Sequence, residues 1–198
     1  MKALLLMDFQ QDFSGFGALA TSNANTVLQQ AQHYLQQDFQ LCIGSQNWIP
    51  ANHTLFAANH YFRYPKQLVS IHEKEERLWP IYGVQESFGA DWMMGFPVEQ
   101  LDVTLQKGMN ANLAPYSCFT PASNFDLHAY LSEHHISSLV LGGFLTEFAV
   151  YHTALDALQL SYQVTVVKSL CAAANLDSDK DSEAIFDALE KVGVQLVP

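Results

Sequence analysis

Positive charge is scarce in this 198-residue sequence: 9 Lys and Arg stand against 20 Asp and Glu, for a formal net charge of -11. A nucleic-acid binder needs a basic face to displace counterions from phosphates, and docking on an anionic membrane needs basic clusters, so neither partner is expected. Cysteine is scarce too. Cys42, Cys118 and Cys171 are too few and too scattered for a disulfide framework, and no CxxC pair suggests a zinc ribbon or redox centre. Long apolar runs are missing. The opening stretch from Met1 to Met7 is too short for a signal peptide or a membrane span, and Asp8 ends it. A reduced, cytoplasmic protein is expected. No repeat, low-complexity tract or linker breaks the chain, so one domain over residues 1–198 is expected. Apolar residues at 49% can fill a sizeable core, and charged residues at only 15% argue against long disorder.

What is present alternates between two periods. Ala3 to Met7 is a short continuous apolar run, the pattern of a strand buried on both faces. Asn23 to Gln37 reads as a helix with Val27, Leu28, Ala31 and Leu35 at helical spacing. Leu41 to Gly44 and Val103 to Gln106 read as strands. Ser123 can cap a helix running to about His134, with Leu127, Tyr130 and Leu131 on one side. Ser138 to Gly143 is a strand ending in two glycines. Thr146 can cap the next helix, where Val150, Ala154, Ala157 and Leu158 share a face. Val164 to Val167 is a β-branched strand, Ser182 to Val192 a helix with Ile185, Leu189 and Val192 on one stripe, and Val194 to Val197 a last strand. The alternation predicts an α/β fold with a mostly parallel sheet covered on both faces. Sites in such sheets form at the carboxyl ends of strands, which directs attention to Asp8, Lys107 and the segment after Gly143. The irregular stretch from Gln46 to Leu101 is too long for an idle loop, and its Trp48, Trp79 and Trp92 are expected to pack over the sheet edge and roof a pocket.

Each motif has a bland reading beside a functional one. Asp8 at a strand end is a general base or the cap of a turn. Lys107 there holds an anion or is a surface lysine. The entry from Gly142 to Val150 offers backbone N–H groups for an oxyanion, or is a tight turn with a Thr cap.

Taken in order, these pieces resemble the isochorismatase-like superfamily of cysteine hydrolases, especially its nicotinamidase branch. The D-x-Q-x-D-F opening is matched by Asp8, Gln10, Asp12 and Phe13. A segment close to D-W-H-P-A-N-H-x-x-F stands here as Asn47 through Phe56, and W-P-x-H-C-V as Trp79 through Val84. Lys107-Gly108 and Tyr116-Ser117-Cys118-Phe119 follow. The G-x-x-T-[DE]-x-C-V-x-x-T-A-x-D-A signature runs from Gly143 to Ala157 with its tail intact. The resemblance implies a three-layer α/β/α sandwich with about six strands, and a catalytic set of Asp, Lys and Cys in which the thiolate attacks an amide carbonyl.

Here Asp8 and Lys107 match that set, but the nucleophile position is Ala149. The implied oxyanion hole would use the backbone of Leu145 and Ala149. The implied metal ligands fall on Asn47, Ile49, His53 and Tyr82, of which only His53 is a ligand of the family's kind, so no metal or other cofactor is expected. Natural divergence explains Ala149 together with Asn47, Ile49, Tyr82 and Gly83; an engineered Cys→Ala change would explain Ala149 alone. Cys118, in a loop near the pocket, is the alternative nucleophile, whereas Cys42 and Cys171 read as small buried hydrophobes. His134, His135 and His152 show no ligand spacing. The pocket walls expected from the resemblance are Phe13, Trp79 and Tyr82. The function expected is a homologue without cysteine-based amidase activity that keeps a pocket for a small aromatic amide or acid, or an assembly role, and forms a homo-oligomer. The alternative is an active C–N hydrolase using non-standard residues.

Overall fold

A computed structural model describes residues 1–71, 73–120, 125–176 and 181–198. Its centre is a six-stranded sheet, all neighbours parallel, in the order β5-β2-β1-β6-β7-β8. These strands are β1 (Lys2–Met7), β2 (Leu41–Asn47), β5 (Val103–Lys107), β6 (Ser138–Phe144), β7 (Gln163–Ala172) and β8 (Gln195–Val197). The helices are α1 (Ala24–Tyr34), α2 (Leu127–Glu133), α3 (Tyr151–Gln159) and α4 (Asp181–Lys191).

Strand β1 shows why the opening run is apolar without alternation. Ala3, Leu5 and Met7 face one core, with Leu131, Ala154 and Leu189 from α2, α3 and α4. Leu4 and Leu6 face the other, with Val27 and Ala31 from α1 and with Phe56 and Met93 from the long segment between β2 and β5. A strand buried on both faces has no position for a polar residue. Both layers close over the sheet, which is the expected three-layer arrangement.

Several expected boundaries move. Strand β2 runs three residues past Gly44, because Ser45, Gln46 and Asn47 are buried with hydrogen-bond partners of their own. β7 continues to Ala172, past a register shift opposite Leu141 and Gly143, so Cys171 lies in the strand and not after it. The helix expected from Ser123 begins at Leu127 and is capped by Asp126, whose Oδ1 accepts from Ala129 N–H at 2.9 Å; Ser123 lies outside the described residues. α4 ends at Lys191, and Val192 is exposed instead of joining the Ile185 and Leu189 stripe.

The Gln46–Leu101 stretch is built, not idle. It carries an antiparallel hairpin, β3 (Leu68–Ile71) with β4 (Lys74–Arg77), and short 3-10 turns. Of its three tryptophans only Trp79 reaches the cavity described below; Trp92 stacks on Phe96 at 4.9 Å elsewhere.

The strand order reverses at β1: successive strands go to one side through β2 and to the other through β6. Ligand crevices in doubly wound sheets open at such a point, beyond the carboxyl ends of the strands. Gly143 permits the close contact there. With φ of 141°, it sits where a Cβ would come within 2.1 Å of the Met7 carbonyl oxygen.

Candidate functional site

Three strand ends bring the polar groups together. Asp8 follows β1 in a left-handed conformation (φ 60°), which Asp tolerates better than most residues, and its N–H donates to the Ser45 carbonyl at 2.9 Å. Lys107 ends β5 in register with Asn47 at the end of β2. The Lys107 ammonium lies 2.8 Å from Asp8 Oδ2. It also donates to Asn47 Oδ1 at 2.9 Å and to the Pro115 carbonyl at 2.7 Å. An ammonium has three N–H groups, so all of Lys107's donors are committed within the protein. Ser45 Oγ donates to the other Asp8 oxygen at 2.8 Å. Burial pushes the Asp8 carboxyl above its ordinary range, against the opposing pull of Lys107 and of hydrogen bonds from Lys107, Ser45 and Asn47.

Gln10 and Pro115 were not singled out by sequence reading as site residues. The Gln10 side chain accepts from Asn47 N–H at 2.8 Å and donates to the Asn47 carbonyl at 2.9 Å and the Ala90 carbonyl at 2.8 Å. It pairs with the Asn47 backbone as another strand would, and so fixes the amide that holds Lys107. Asp12, two positions on, accepts from Gly83 N–H at 2.7 Å and ties the Trp79–Val84 segment to the β1 end.

Above this polar floor lies a narrow cleft. The structure brings Asp8, Lys107, Phe13, Trp79, Tyr82, Leu145 and Ala149 to its lining. Tyr116, Phe144 and Phe148 also line it; the sequence motifs contain them but give none of the three a place in the wall. Tyr82 is 6% exposed and is met edge-on by Phe13, Phe56 and Trp79, at 5.9, 5.8 and 6.1 Å between ring centres. His152 stacks on the outer side of Tyr116 at 5.2 Å, and burial lowers its pKa.

The turn after β6 differs from the expected capped helix. Leu145 is extended, and Thr146–Val150 is a π-helical turn leading into α3. Thr146 therefore lies inside the first turn, and its buried hydroxyl has no hydrogen-bond partner. Phe148 N–H and Val150 N–H both donate to the Leu145 carbonyl, at 3.1 and 3.3 Å; the Leu145 and Ala149 amides are not donors in that set. Ala149 presents a methyl group to the cleft and to the core beneath.

None of the three cysteines lines the cleft. Cys118 is fully buried and does not line the cleft, but it lies beside the polar floor, hydrogen-bonded with Ser45 and close enough to feel the charges of Asp8 and Lys107; burial pushes its thiol up to about 11. Cys42 is likewise pushed up to about 11 and Cys171 to about 12. A thiol so rarely ionised is a poor nucleophile.

The four positions implied as metal ligands do not fit a divalent ion. The Asn47 side-chain oxygen is taken by Lys107, and Ile49 has no donor atom. His53 accepts from Leu55 N–H at Nδ1 (3.1 Å), so its Nε2 carries the proton and donates to the Leu113 carbonyl (3.1 Å). Burial lowers its pKa. Tyr82 is held in its neutral form, burial raising its pKa well above the usual value. His134 is occupied by the Tyr130 carbonyl at 2.9 Å. Among the described residues no helix is long and apolar enough to cross a membrane.

Comparison with known proteins agrees with this geometry. The isochorismatase domain profile matches residues 2–196. The nicotinamidase of Escherichia coli is 32% identical over 203 residues, covering 98% of this chain and 93% of that protein. A nicotinamidase structure from Acinetobacter baumanii superposes with a TM-score of 0.91 at 26% identity, covering 99% of this chain and 95% of the other. The yeast nicotinamidase bound to the inhibitor nicotinaldehyde shares the fold, with a TM-score of 0.92 at 23% identity over 100% of this chain and 99% of that one.

Proposed function

This chain belongs to the isochorismatase family, and from that membership and the cleft beside Asp8 we propose that it binds a flat aromatic amide or acid without hydrolysing it through a thiolate. One observation carries the proposal. A methyl group, that of Ala149, forms the cleft wall at the position the sequence resemblance assigns to the nucleophile, and among the described residues no cysteine, serine or threonine lines the cleft. Alanine cannot attack, and the three thiols are buried outside the cleft lining with raised pKa values. Relatives in the comparison are nicotinamidases, one of them holding nicotinaldehyde, so the ligand class is drawn from theirs.

The same reading takes the protein as one domain over residues 1–198, cytoplasmic because its cysteines are free and buried, and self-associating because Tyr61, Phe62 and Tyr64 expose their rings. A second reading, water attack assisted by Asp8, is favoured by the raised pKa of that carboxyl, which suits a general base.

Equilibrium binding of labelled nicotinamide, with chemical analysis of what is recovered, separates the readings. Saturable binding with the amide recovered intact is expected. Recovery as the acid supports the second reading, and no binding of any aromatic amide or acid removes the ligand role.

A further inference from the structure

A count of uncommitted donors in the cleft singles out its two phenols, Tyr82 and Tyr116. Lys107 has spent its three donors on Asp8, Asn47 and Pro115. Each Asp8 oxygen already accepts one bond, from Ser45 or Lys107. Asn47 is held by Lys107 and Gln10. The Tyr116 oxygen accepts from Trp79 Nε1 at 3.1 Å, which leaves its own O–H uncommitted. The remaining walls are largely apolar, among them Phe13, Phe144, Phe148 and Ala149.

Tyr82 is the more deeply buried of the two. It is more than nine-tenths buried, yet its hydroxyl forms no hydrogen bond to a described residue and is not a sealed, unsatisfied atom, so it opens into the cleft. Edge contacts with three rings fix the phenol, and with it the direction of the oxygen. Burial, with Tyr116, Asp8 and Asp12 adding to it, keeps the hydroxyl protonated. A buried donor without a partner costs stability that a ligand acceptor can return, and a site built around such a donor rejects analogues lacking the acceptor.

We propose that the Tyr82 hydroxyl is the specificity-determining group of the cleft, donating a hydrogen bond to an acceptor atom in the ring of a flat heteroaromatic ligand. Lys107, with its three donors engaged by Asp8, Asn47 and Pro115, leaves that contact to Tyr82. The inference rests on the ligand-binding reading above and goes beyond it by naming the discriminating group and the ligand feature it reads.

The test compares nicotinamide with benzamide, which differ by a ring nitrogen against a C–H, using calorimetric dissociation constants on the unmodified protein and on Tyr82→Phe. The unmodified protein is expected to bind nicotinamide about tenfold tighter than benzamide, the size of one neutral hydrogen bond at the upper end of its range. Tyr82→Phe is expected to erase that preference while leaving benzamide affinity within about twofold. Equal affinities for the two amides on the unmodified protein overturn the proposal without any variant, and leave the binding reading standing. Loss of the preference in Tyr116→Phe but not in Tyr82→Phe overturns it too. If neither amide binds, the binding reading and this inference fall together.

Discussion

The Lys107 ammonium and the Asp8 carboxylate lie 2.8 Å apart, with side chains only 1% and 2% exposed. Two charges so placed are stable only as a pair with their surrounding hydrogen bonds, because either alone is a buried charge without compensation. Lys107→Met and Asp8→Asn are each expected to lower the unfolding free energy by about 3–5 kcal/mol in urea titrations. The double variant is expected to cost clearly less than the sum of the two. Strictly additive losses would mean that the groups do not depend on each other.

His53 gives a pH dependence whose sign is fixed by its surroundings. Its folded pKa is lowered from 6.5, chiefly by burial, while hydrogen bonds to the Leu113 and Asn110 backbone oppose the shift. The unfolded chain therefore takes up a proton before the folded one does. Stability is full above 6.5 and is lost as pH falls from there toward the lowered folded value. His152 is shifted in the same direction and adds to the effect. Melting temperatures recorded from pH 8 down to pH 5 should be level above 6.5 and fall below it, less steeply in His53→Gln. A profile that rises on acidification would contradict the neutral, doubly bonded His53.

Thr146 carries a buried hydroxyl without a partner, which is a cost and not a support. Thr146→Val keeps the shape and removes the polar atom. The expected outcome in thermal or urea unfolding is no loss, or a gain of about 1 kcal/mol. A loss above that size would show that the hydroxyl is bonded in solution.

The sequence and the structure agree most where burial alone decides. β1 and β6 lie at the sheet centre, buried on both faces, and their runs of Leu, Val and Ala are legible as strands without any other cue. The last residues of β2 are the opposite case. Ser45, Gln46 and Asn47 look like loop residues, and only partners far along the chain, Asp8, Gln10 and Ala90, make them affordable inside a sheet. Thr146 resembles a helix cap by composition, but the extended residue that opens the turn is Leu145, which leaves Thr146 one position too far in. Within the site, Asp8 and Lys107 were legible as strand-end residues. The commitment of every Lys107 donor was not, because it depends on Pro115, eight residues on in an irregular segment.

The claim that Ala149 leaves the cleft without a nucleophile is tested most directly by ammonia release from nicotinamide, measured for the unmodified protein beside Asp8→Ala. The two are expected to be indistinguishable from each other and from buffer. Steady release by the unmodified protein that Asp8→Ala abolishes would contradict it.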